Sequence, residues 1–161
     1  MSQTNTSKMV NKARELSISR LINAPRELVF KVWTEPEHVA KWWGPDGFKN
    51  TIHEMNVKAG GVWRLTMHGP DGRDYPNKIV FLEVVKPERL VYKHSDDGEP
   101  ELISFHVTVT FEEQGNKTLL TMISVFESAA DLERVIKENG AAEGMVQHID
   151  RLEEYLSNNA I

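Results

Sequence analysis

Met145, Ile149, Leu152 and Leu156 recur at steps of four, three and four. Those steps put four apolar side chains on one side of a helix. Glu143, Asp150, Arg151, Glu153 and Glu154 fall on its other faces. A helix built this way has to lie on an apolar surface. The segment before it is a shorter helix with clear ends. Ser128 is a good N-cap with Asp131 three residues on, and Leu132, Val135 and Ile136 keep helical spacing. Asn139-Gly140 stops it, because glycine reaches the left-handed conformation that ends helices.

Almost everything upstream reads as strand, so the surface under the helix is a sheet. Strand patterns run over Arg14–Ile22, Phe48–Val57, Val62–His68, Tyr75–Val85, Arg89–His94, Glu101–Phe111 and Thr118–Phe126. Gly, Pro, Asn and Asp punctuate them, and the short connections make neighbours antiparallel. Between the first two strands lie two short helices. One starts at Pro25 and runs to about Trp33, and the other covers Glu37 to Lys41. The expected architecture is α+β: a seven-stranded antiparallel sheet wrapped around a long C-terminal helix, as one domain over residues 14–158. Residues 1–13 are polar and read as a disordered tail, not a signal peptide.

Composition removes several functions. The chain of 161 residues has no cysteine, so disulfides, thiolate catalysis and thiolate-bound metals are excluded. Its net charge of -5 and scattered Lys and Arg argue against a nucleic-acid surface. No apolar run reaches the roughly 20 residues of a membrane span. The expected compartment is the cytoplasm. No pair among the six histidines has the His-Glu-x-x-His spacing, no Gly-x-Ser-x-Gly elbow occurs, and the Gly-Pro-Asp-Gly turns lack the phosphate-loop pattern. No metal and no cofactor is expected.

Alternation assigns the faces of the strands. Trp63, Leu65 and Met67 share the side turned to the helix, as do Ile103, Phe105, Val107, Val109 and Phe111. In the second strand Thr51, His53, Met55 and Val57 share a face, which makes His53 the most interesting histidine. The alternative for it is a half-exposed place at a sheet end. Trp42 and Trp43 either cap one end of the core or form the lip of a pocket. A curved sheet diverges from a straight helix and leaves a wedge. Met55, Trp63, Met67 and Met145 are adaptable enough to line it.

Several segments together resemble a known family. They are Asn23-Ala24-Pro25-Arg26-Glu27-Leu28-Val29-Phe30, Val32-Trp33-Thr34, Pro36 and Lys41-Trp42-Trp43-Gly44-Pro45, then Gly60-Gly61-Val62-Trp63-Arg64. Val84-Val85-Lys86-Pro87-Glu88-Arg89-Leu90-Val91-Tyr92, Gly144-Met145, Ile149-Asp150-Arg151-Leu152 and Tyr155-Leu156 continue the pattern. Their order is similar to the START-like or SRPBCC (polyketide cyclase-like) superfamily, and within it to homologues of the heat-shock protein 90 ATPase activator C-terminal domain. The resemblance implies a helix-grip fold with a cavity between sheet and helix. Members bind hydrophobic molecules, act as cyclases, sequester reactive natural products or stimulate a chaperone ATPase, so the fold leaves the activity open.

A dry void of about 300 Å³ would cost on the order of 7 kcal/mol, comparable with the net stability of a domain. Such a gap is therefore partly polar and wet, or it holds a guest. The expected function is binding of a hydrophobic or amphipathic small molecule. Trp63, Met55, Met67, Phe105 and Met145 would make apolar contact, Trp43 would close the mouth, and His53 would offer a hydrogen bond. One alternative is a cyclase or isomerase, with His53 or Tyr92 as the acid or base. Another is a chaperone-associated interaction module, and a homodimer is a further expectation.

Overall fold

The computed structural model describes residues 8–97 and 104–158. Eight strands form one antiparallel sheet: β1 (Lys8–Lys12), β2 (Glu15–Ile22), β3 (Lys49–Met55), β4 (Val62–His68), β5 (Asp74–Val85), β6 (Arg89–Ser95), β7 (Ser104–Gln114) and β8 (Lys117–Phe126). Their spatial order is β1-β2-β8-β7-β6-β5-β4-β3. The helices are α1 (Arg26–Thr34), α2 (Pro36–Val39), α3 (Ala129–Asn139) and α4 (Ala141–Asn158).

The strand count is one higher than expected. Lys8–Lys12, assigned to a disordered tail, pairs with β2, with Lys12 opposite Glu15. All five of its residues are exposed. None of its side chains is buried, so no apolar alternation marks it in the sequence. Residues 1–7 of the expected tail, and Ile103 of the expected inward set, lie outside the described residues.

The inner face of β2 shows how the helix is held. Leu16, Ile18 and Ile22 are buried there, and so is Arg20, which is only 5% exposed. Its guanidinium donates to Asp150 (2.6 Å) and Glu153 (2.8 Å) of α4. The buried stripe of α4 is Met145, His148, Ile149 and Leu152, with Leu156 partly buried. β8 turns Leu120, Met122, Ser124 and Phe126 inward. Both ends of α3 are as expected. The Ser128 hydroxyl accepts from the Asp131 N–H at 3.1 Å, and Gly140 ends α3 with φ of 62°.

The faces of β3 need correction. The register shifts between Ile52 and Glu54, where one extra residue bulges out. Ile52 and Met55 therefore share the inner side, and His53 turns outward, exposed. There His53 Nε2 and the Thr66 hydroxyl share a hydrogen bond of 2.7 Å.

Candidate functional site

A cavity of about 220 Å³ lies where the sheet parts from the junction of α3 and α4. Its floor is a row of rings across three strands. His94, Phe105 and Phe126 are register neighbours in β6, β7 and β8. The His94 and Phe105 centroids are 4.9 Å apart, and Phe105 stacks on Phe126 at 4.7 Å. Leu16, Met122 and Ser124 extend the floor, and Met67 closes one side. The wall is Asn139, Gly140, Ala141, Gly144, Met145 and His148, and Trp43, Gly44 and Pro45 form the rim. No lysine, arginine, aspartate or glutamate is among these lining residues.

The rim is latched to α4. Arg151 Nη1 donates toward the carbonyl oxygens of Trp43 (3.0 Å), Gly44 (3.0 Å) and Pro45 (2.7 Å), and Nη2 donates to Phe48 (2.9 Å). One turn earlier, His148 Nδ1 accepts the Gly44 N–H at 3.0 Å, and Gln147 Oε1 accepts the Asp46 N–H at 3.1 Å. Turning successive carbonyls toward one cation needs an unusual backbone. Gly44 supplies it with φ of 93°, and a Cβ there would meet Met67 Cε at 2.7 Å. Behind the rim, Trp43 packs edge-on to Trp33, Trp63 and His148 at 5.8, 4.7 and 4.4 Å.

Both pocket histidines are neutral. Burial pushes His148 down to about 3, helped by the Arg151 charge and by His94. Burial alone pushes His94 down to about 4. Hydrogen bonds fix their tautomers. The Asn77 amide donates to the Tyr75 carbonyl, so its oxygen faces His94 and accepts from Nε2–H at 2.8 Å. His94 Nδ1 therefore carries the lone pair. His148 uses its lone pair on Gly44, so its proton sits on Nε2.

Of the residues expected at the site, Trp43, Met67, Phe105 and Met145 meet at the cavity. The others do not line it. Trp63 is wholly buried behind Trp43 and stacks on Phe81 at 6.4 Å. Met55 is half-buried on β3, and His53 is on the outer face. Tyr92 is fully buried, and burial raises its phenol far above the ordinary value. Neither residue named as acid or base therefore reaches the cavity. His94, Ser124, His148 and Arg151 were not singled out as site residues. A readable signal for His148 is its place three residues after Met145, a polar residue within the apolar stripe. Arg151 was assigned to the solvated face because its partners are backbone atoms, which leave no mark in a sequence.

Gly144 sits inside α4 at the cavity wall, and a Cβ there would touch only Pro45, at 3.8 Å. Glycine inside a helix costs about 0.5–1 kcal/mol relative to alanine. Gly144→Ala is therefore expected to raise Tm by about 2–3 °C. Calorimetry showing a lower Tm would mean that Pro45 has no slack.

Comparison with known proteins agrees with this geometry. The family described as activator of Hsp90 ATPase homolog 1-like protein (AHSA1) matches residues 23–157. The chain belongs to the AHSA1 family. No curated protein matches the sequence. Among solved structures, a protein from Arthrobacter aurescens determined by NMR is 28% identical, with 95% of this chain and 92% of that one covered and a TM-score of 0.86. A Mycobacterium smegmatis protein is 23% identical over 97% of this chain and 98% of its own, with a TM-score of 0.82. The AHSA1 protein of Silicibacter pomeroyi is 17% identical over 89% of this chain and 97% of its own, with a TM-score of 0.73. These last two likenesses speak for the AHSA1 helix-grip fold alone. Among the described residues of this AHSA1 chain, no helix is long and apolar enough to cross a membrane.

Proposed function

We propose that this AHSA1-family chain binds a hydrophobic or amphipathic small molecule between α4 and the sheet. The carrying observation is the cavity of about 220 Å³ floored by stacked rings and walled by methionine and glycine. A close-packed interior rarely leaves an opening of that size without a use. An apolar cavity of about 150 Å³ accepts benzene, so this one suits a compound of one or two rings.

The test is a thermal-shift screen of one- and two-ring compounds. A binder present at about 100 times its Kd adds roughly 2.7 kcal/mol, a rise of about 5–10 °C in a domain of this size. Leucine at position 144 is placed to fill the wall beside Pro45, so Gly144→Leu is expected to abolish the shift. A varied library without a single shift would defeat the proposal. A shift that survives Gly144→Leu would move the guest elsewhere.

A further inference from the structure

We infer that the guest is a neutral ring compound carrying a hydroxyl, held through that group by Ser124, and that the cavity rejects the matching carboxylate. The inference rests on the binding reading above and adds the chemical class.

Ser124 lies on the inner face of β8, between Leu16 of β2 and Val107 of β7 in register. It is 2% exposed, yet its side chain lines the cavity. Its hydroxyl has no side-chain hydrogen bond among the described residues. It opens on the cavity, where it takes its partner from water or from a guest. A guest hydroxyl supplies one, because each group is both donor and acceptor. His94 Nδ1 adds an unused acceptor at the other end of the floor, two strands away and hence about 10 Å across.

Charge decides what the cavity excludes. No cationic side chain lines it, and burial keeps both of its histidines neutral, with tautomers fixed by their hydrogen bonds. The Arg151 guanidinium, whose charge reaches His148, is committed to four carbonyl oxygens. A carboxylate would meet the unpartnered His148 Nε2–H but no counter-ion, and an uncompensated buried charge is far costlier than a buried hydroxyl. The approach adds to this. An adjoining cleft shares Pro45, Met67 and Asn139 with the cavity and carries Asp74, Asp96 and Glu138. Those carboxylates set a negative field beside the rim, partly offset at Asp74 by His68 at 2.7 Å.

A congeneric series tests the inference on the full chain: 2-naphthol, 2-methylnaphthalene and 2-naphthoic acid, titrated calorimetrically at pH 8. The expected order is naphthol tightest, methylnaphthalene about fivefold weaker, and naphthoate at least 100-fold weaker than naphthol. Ser124→Ala is expected to weaken naphthol about fivefold and to leave methylnaphthalene within twofold. Naphthoate binding as well as naphthol would overturn the inference and leave the cavity reading standing. So would naphthol and methylnaphthalene binding equally in both proteins. No binding by any of the three would overturn the cavity reading, and this inference with it.

Discussion

Arg151→Ala is expected to cost about 3 kcal/mol of stability, a fall in Tm of about 8 °C, with the rim of the cavity loosened first. In the native chain one guanidinium answers the carbonyls of Trp43, Gly44, Pro45 and Phe48. Hydrogen bonds to a charged donor contribute about 1.5–3 kcal/mol, and a buried acceptor left alone costs about 1–3 kcal/mol. Water recovers part of that loss, because the residue is only half-buried. Arg151→Lys keeps the charge but loses the fork, so it is expected to fall between wild type and alanine. Hydrogen exchange at the Gly44 and Asp46 amides distinguishes local loosening from global loss. Both amides are bonded to α4, through His148 and Gln147, and are expected to exchange faster in the variant. A stability change under about 0.5 kcal/mol would show that tryptophan packing alone holds the rim.

Acid produces the larger loss. Between pH 6.5 and pH 4.5 the chain is expected to lose about 4 kcal/mol, beyond what its carboxylates contribute. An unfolded histidine titrates near 6.5, whereas burial holds His148 to about 3 and His94 to about 4 in the native chain. In that window the unfolded chain takes up protons that the folded one refuses. Stability therefore falls as pH drops through 6.5, and these two groups change little above about pH 7.5. Each fully resisting histidine contributes about 1.36 kcal/mol per pH unit. His94 is half-buried and gives the smaller share. Protonation of His148 would also remove the acceptor for the Gly44 N–H and set a second cation beside Arg151. Urea unfolding at half-unit pH steps measures the slope. His148→Gln keeps an acceptor but cannot titrate, and its slope is expected to be shallower by nearly one proton. An unchanged slope would mean that His148 is not the responsible group.

Residues that act through apolar spacing were legible in the sequence. The stripe of α4, the Gly140 stop and the inner faces of β4 and β7 follow from periodicity and one special backbone angle. What the sequence hid acts through the backbone. β1 is held by ladder bonds with every side chain exposed, so no pattern announces it. The bulge in β3 inverts the phase after Ile52, and that moved His53 from inside to outside. Arg151 binds carbonyls, which every residue possesses. At the cavity the large apolar contributors Trp43, Met67, Phe105 and Met145 were found, because bulk and alternation are readable. The small polar one, Ser124, offers neither bulk nor an apolar pattern to read. Trp63 was placed on the correct inward side, but alternation says nothing about depth, and it lies with Tyr92 in the solid part of the core.

The joint at Asn139-Gly140-Ala141 bounds the cavity, while the register of the sheet is set elsewhere. A residue inserted or exchanged at that elbow would resize the chamber and leave every strand pair in place. The chamber can thus be retuned through a few positions at one bend, long before the sheet wrapped around it has to change.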